Sequence, residues 1–144
     1  MIERGGMDTV EKDKEILISI VKEMAESSTG IQSTRHWAED VLWFDIPPMA
    51  VKGREKSCEI FENAFRQLES IKVKILSSEV SINGNMGFVC SVQQWSIVPK
   101  NGGESTLMVR QTNCFERRND VWELVHQHDS IPAGGNWDGK ITTE

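Results

Sequence analysis

Val121 to Ile131 carries Trp122, Leu124, His126 and His128 at every second position. Residues two apart on a strand share a face and lie roughly 6.5 Å from one another. A face that begins as core would thus end lined by imidazoles, which titrate near neutrality and can give or take a proton. The preceding strand, Leu107 to Arg117, sets Arg110 and Thr112 on one face, and the hairpin through Arg118-Asn119-Asp120 could bring that face beside His126 and His128. Arginine stays charged and presents a planar fork suited to a carboxylate, an enolate or another oxyanion. For the two histidines three readings stand together: pocket-lining acid–base groups, structural hydrogen-bonding groups, or two ligands of a metal that would need a third.

These strands follow a mixed segment. Asp8 and Glu11 have the spacing of a capping box, and Val10, Leu17, Ile20, Val21 and Met24 recur at helical intervals to about Ser27. Ser33 or Thr34 is expected to cap a short second helix through Arg35, His36, Trp37 and Ala38. Val41 to Ile46 reads as a short strand stopped by Pro47-Pro48. After Gly53 the period is helical again, with Cys58, Phe61, Ala64, Phe65 and Leu68 on one side. From residue 71 it is two: Ile71, Val73 and Ile75 alternate with lysines, Asn83-Gly84-Asn85 turns the chain, and Met86 to Val98 forms the next strand. Helices segregated from antiparallel strands predict an α+β fold, a curved antiparallel sheet wrapped around helices with an internal, conical pocket.

Composition narrows the function classes. With a formal charge of −6 and 16 scattered Lys and Arg, the chain shows no electrostatic footprint for nucleic acid. Cys58, Cys90 and Cys114 are odd in number and widely spaced, as expected of reduced core thiols in a cytoplasmic protein. No apolar run approaches the ~20 residues of a membrane span. One domain is expected over residues 8–132, with a flexible leader at 1–7 and a Gly-rich tail at 133–144, and Met7 is an alternative start. Trp137, isolated in that tail, is expected over the pocket mouth, on a partner subunit, or disordered.

Trp37-Ala-Glu-Asp-Val-Leu-Trp-Phe-Asp-Ile-Pro-Pro48, Lys52-Gly53-Arg54 before a helix, and the closing Trp-x-Leu-Val-His-x-His-x-Ser-x-Pro from Trp122 to Pro132 resemble the SnoaL-like branch of the NTF2-like, or ketosteroid isomerase-like, superfamily. The resemblance spans roughly residues 8 to 132. It implies a cone-shaped α+β fold and commonly a homodimer paired through the outer sheet face. It also implies isomerase, cyclase, dehydratase or hydrolase chemistry, or else a non-catalytic binding or association role. Asp45 falls where the steroid isomerases carry their general base. Those enzymes use a tyrosine and a protonated carboxylic acid as oxyanion donors. This chain has no tyrosine, and its corresponding strand reads Val109-Arg110-Gln111-Thr112, so steroid isomerisation is not the expectation.

The expected site joins Asp45 as base, Arg110 as oxyanion partner, and His126 and His128, without cofactor or metal. Trp37, Trp43, Phe61 and Phe65 are expected to line it, with Trp95, Thr112 and Trp122. Trp43 shares a strand face with Asp45, and Phe44 should point away. The competing reading pairs Asp45 with Arg110 purely to compensate a buried charge. Three classes of function remain open: a cofactor-independent enzyme acting on a small apolar substrate, a small-molecule binding domain, and a dimerisation module.

Overall fold

The computed structural model of the chain describes residues 2–46 and 49–132. Pro47, Pro48 and the tail with Trp137 lie outside the described residues. Among the described residues three helices, α1 (Ile2–Ala25), α2 (Gly30–Ser33) and α3 (Arg54–Arg66), accompany six strands. These are β1 (Trp37–Phe44), β2 (Ala50–Lys52), β3 (Leu68–Asn83), β4 (Met86–Pro99), β5 (Ser105–Arg118) and β6 (Val121–Ser130).

The strands form one sheet in the order β2-β1-β6-β5-β4-β3. Every neighbouring pair is antiparallel except β1 with β6. The long hairpins are set by their turns: Gly84 takes φ 62° between β3 and β4, and Asn119 and Asp120 both take positive φ between β5 and β6. Two consecutive left-handed residues twist a tight turn in the sense that matches the strands it joins. Helix α1 lies on β3 and β4, while α3 lies across β1 and the start of β3. Leu17, Ile20 and Val21 of α1 meet Trp37, Val41, Trp43, Val89, Phe115, Trp122 and Leu124 from the sheet in one core.

A polar pin fixes α1 to the β5–β6 hairpin. Asp13, 7 % exposed, accepts hydrogen bonds from Trp122 Nε1 at 3.0 Å and Arg117 Nη1 at 2.9 Å, and the guanidinium lies 5.0 Å from the Trp122 ring centroid. The guanidinium thus compensates the buried carboxylate while lying over the same indole that donates to it.

Several boundaries differ from the sequence expectation. Helix α1 runs from Ile2, so the start assigned to Asp8 lies inside it, and the helix extends through the residues read as a leader. The short second helix lies earlier than Ser33: Thr29 caps it, its side chain accepting from Gln32 N. Trp37 and Ala38 instead open β1, because Leu124 N donates to His36 O and pulls this segment into the sheet. A three-residue β2 went unread, being too short to show a period.

One glycine is fixed by packing. Gly30 N donates to Glu62 Oε1 at 2.5 Å, and a Cβ at Gly30 would sit 2.4 Å from Cys58 O. Gly30→Ala is expected to cost about 2 kcal/mol or more, since backbone rather than a flexible side chain must yield. A urea midpoint shift checks this.

Candidate functional site

The inner face of the sheet is apolar at its edges and polar in the middle. Across β4, β5, β6 and β1 one inward row reads Val89, Asn113, Gln127 and Trp43, and the next reads Ser91, Gln111 and Asp129. Gln93 stands one step further along β4, and all of these side chains are buried. Helix α3 covers this strip at a distance, and the space between is a cavity of about 350 Å³.

Its apolar wall comes from Met24 and Ala25 of α1, Ile60, Phe61, Ala64 and Phe65 of α3, and Leu68, Ile71, Val73 and Ile97 of the β3–β4 hairpin. Trp43 stacks on Phe61 with ring centroids 4.7 Å apart and planes 7° from parallel, and Phe65 extends the stack at 6.0 Å. Trp37 meets both Trp43 and Phe61 edge-on from behind. The polar wall holds Asp45, Gln93, Gln111, Gln127 and Asp129.

The polar groups form a chain whose direction is fixed by chemistry. An indole N–H only donates, so Trp95 Nε1 at 2.8 Å obliges Gln93 to present its oxygen. Gln93 Nε2 then donates to Ser91 Oγ and, at 3.1 Å, to Gln111 Oε1. Gln111 Nε2 donates in turn to Asp129 Oδ1 at 2.8 Å. A second branch runs from Asn113 through Gln127 Oε1 at 2.7 Å, and Gln127 Nε2 reaches Asp129 Oδ2 at 3.1 Å. Trp43 Nε1 adds a third donor to Asp129 Oδ2 at 3.2 Å. Asp129 is therefore the common acceptor of the network. Burial lifts its carboxyl above the usual range, while the donated N–H bonds and the charge of His128 act against that rise.

Asp45 stands just past the end of β1 with far less support. Ile46 N donates to its Oδ1 at 2.8 Å, and that amide is the sole hydrogen-bond partner of the carboxylate among the described residues. Burial pushes the Asp45 carboxyl up to about 6, with the negative charge of Asp129 adding to the rise and the Ile46 amide opposing it. The cavity thus contains one carboxylate held by three donors and another that changes charge near neutrality, a pairing able to move a proton to or from a bound molecule.

Of the residues expected at the site, the structure gathers Asp45, Trp43, Phe61, Phe65 and Trp95 on the cavity. Trp37 is fully buried behind it, and Trp122 is core, bonded to Asp13. Arg110, Thr112, His126 and His128 are on the opposite face. The hairpin does bring them side by side, with Thr112 opposite His128 and Arg110 opposite Ser130. The error lies in which side they share. Phe115 pairs with Leu124 but Cys114 pairs with His126, so Val125 is an extra residue in β6. Such a bulge exchanges the two faces beyond it: Trp122 and Leu124 point inward, and then Gln127 and Asp129 do.

On the outer face His126 Nδ1 donates to Leu42 O at 2.6 Å, and Phe44 sits edge-on to both imidazoles at 5.1 and 5.6 Å. Arg110 is exposed and cannot pair with the inward Asp45. No third ligand joins the two histidines, and no group of three His, Cys, Asp or Glu among the described residues is placed to hold a metal ion. Cys90 is exposed rather than core, and Cys58 and Cys114 are half-buried. Burial raises the Cys114 thiol above its ordinary value, with Cys90 adding to the effect.

Sequence reasoning missed Gln93, Gln111, Gln127 and Asp129. The first two were accessible: Gln93 falls in phase with Val89 and Trp95, and Gln111 with Val109 and Phe115, so polar residues interrupt an inward phase on neighbouring strands. Gln127 and Asp129 were hidden by the bulge.

Comparison with known proteins agrees with this architecture. An NTF2-like protein with a cystatin-like fold from Novosphingobium aromaticivorans superposes with a TM-score of 0.82 at 14% identity, over 94% of this chain and 92% of its own. A candidate dehydratase of the NTF2-like family from Streptomyces avermitilis gives a TM-score of 0.77 at 18% identity, covering 86% of this chain and 99% of its own. The association domain of calcium/calmodulin-dependent protein kinase II from C. elegans gives 0.67 at 18% identity, covering 86% and 99%. At these identities the likeness is one of fold. No curated protein matches the sequence. The model of the SnoaL-like domain matches residues 22–134, most of the chain, and the protein therefore belongs to the SnoaL-like family.

Proposed function

We propose that this domain holds a small, largely apolar molecule between α3 and the sheet and carries out cofactor-independent proton transfer on it, with Asp45 as the acid–base group. Isomerase, cyclase, dehydratase and hydrolase reactions all need such a group. The observation that carries the reading is Asp45 itself, a carboxyl in an apolar cavity pushed up to about 6. A carboxyl serving only the fold would be expected to recruit donors, as Asp129 does.

Non-catalytic binding is the second reading, favoured by the way Asp129 and the glutamines satisfy one another. The two separate on Asp45→Asn, which abolishes turnover in the first case and changes at most affinity in the second. Native mass spectrometry of freshly purified protein tests the shared premise. An excess mass lost on denaturation identifies the class of compound held. A bare protein that no apolar compound stabilises in a thermal-shift screen would count against a ligand site altogether.

The proposal includes a homodimer through the outer sheet face, where Phe88 and Met108 are 44% and 38% exposed on the same side of the sheet as Phe44 and the two histidines. Pairing there would leave the cavity open on the other side of the sheet. A dimer by light scattering, reduced to monomer by Phe88→Glu, is expected. Among the described residues no helix is long and apolar enough to cross a membrane.

A further inference from the structure

Among the described residues, the charges lining the cavity are all of one sign. Asp45 and Asp129 are its only charged lining residues among those described. Helices α1, α2 and α3 and strands β3, β4 and β5 face it only with apolar or neutral polar side chains. Arg110 faces the far side of the sheet by its alternation with the buried Val109 and Gln111, and the Val125 bulge turns His126 and His128 to that same side.

The amide donors are largely committed as well. Gln93 Nε2 makes two hydrogen bonds, and Gln111 and Gln127 each spend one N–H on Asp129. An incoming anion would therefore meet carboxylates and preoccupied amides. An incoming cation would meet a carboxylate oxygen without a partner among the described residues, Asp45 Oδ2, in a cavity also lined by the aromatic rings of Trp43, Phe61, Phe65 and Trp95. A carboxylate together with aromatic rings is the combination that recognises an organic ammonium group.

We infer that the cavity selects an apolar organic amine, bound as its ammonium ion against Asp45, over an acid or alcohol of the same skeleton. The inference rests on the reading of the cavity as a ligand site and narrows it to a substrate class. An ammonium beside Asp45 favours the ionised carboxylate, so amine binding tightens as pH rises through the range in which Asp45 loses its proton. Asp129 is the other ionisable group facing that position; burial raises its carboxyl as well, so its ionisation moves amine binding in the same direction, and Asp45→Asn separates the two contributions.

Isothermal titration calorimetry with three neutral-to-charged homologues, phenylbutylamine, phenylbutanol and phenylbutanoate, tests this at about pH 7.5 and pH 5. The expected result is an amine bound at least about tenfold tighter than the alcohol at the higher pH, the acid weakest of all, and the amine advantage shrinking at the lower pH. Asp45→Asn should bring the affinities for amine and alcohol together. If the alcohol or the acid matches the amine, or the advantage survives in Asp45→Asn, the inference is overturned and the cavity still stands as a ligand site. Binding of none of the three would overturn the inference and the ligand-site reading together.

Discussion

Asp129→Ala is expected to destabilise the fold by about 3 to 5 kcal/mol, because it strands Trp43, Gln111 and Gln127 N–H groups at once and each buried unpaired donor costs about 1–3 kcal/mol, partly relieved by water entering the gap. Asp129 is 3 % exposed, so little bulk solvent reaches the donors. Asp129→Asn is the sharper test. Its single carbonyl oxygen can keep the two donors that converge on Oδ2, Trp43 and Gln127, but its NH₂ then faces the NH₂ of Gln111. Gln111 cannot turn over without confronting Gln93, which the Trp95 indole holds in place. A loss of about 2 kcal/mol is therefore expected for the amide, from one broken bond and one donor-to-donor contact. Urea unfolding of both variants gives the answer; an asparagine variant as stable as the parent would mean that the network does not run toward residue 129.

The second large effect concerns Asp45→Asn, which should reduce turnover of any substrate by at least about a hundredfold, the usual scale of a positioned acid–base group. Stability should move the other way. The folded-state carboxyl is raised from 3.8 to about 6, so the ionised form is the one that burial disfavours. The favourable protonated state is fully present below about pH 4 and is lost as pH rises through about 6. Asparagine has no such loss and keeps an oxygen for the Ile46 amide. Above about pH 7 the variant should be more stable than the parent by up to about 3 kcal/mol, reduced by whatever solvent reaches this incompletely buried group, and the two should converge below about pH 4. Thermal melts of both proteins across that range check the sign, and a variant whose advantage over the parent does not grow between pH 4 and pH 7 would remove the physical basis for Asp45 as the titrating group. Loss of activity with gain of stability is what distinguishes a strained functional carboxyl from a structural one.

Much of the architecture could be read from local pattern because local pattern is what specifies it. Ile71, Val73 and Ile75 alternate with lysines along an uninterrupted stretch of β3, and Asn83-Gly84-Asn85 supplies the left-handed turn that follows. Trp37 and Ala38 were misread as helical because β1 runs irregularly between Trp37 and Leu42, which blurs any period of two. Their strand state comes from pairing with Leu124, a contact no nearby residue announces. Asp45 and Trp43 kept their expected face since nothing interrupts β1 between them. His126 and His128 did not, since Val125 intervenes; a period argument presumes a continuous ladder, and bulges are settled by the partner strand rather than by the sequence carrying them.

The parallel contact between β1 and β6 has a consequence for the order in which the molecule is built. Trp43 and Asp129 are 86 residues apart in the chain, yet one hydrogen bond joins them. Strand β1 is fastened to the large hairpin stack only through β6, its other neighbour being the three-residue β2. Contacts of such long sequence separation form late, after the local hairpins have already condensed. A chain still missing β6 has Asp45 without Asp129 or Gln127, so the polar wall of the cavity is complete only once the last strand has joined the sheet.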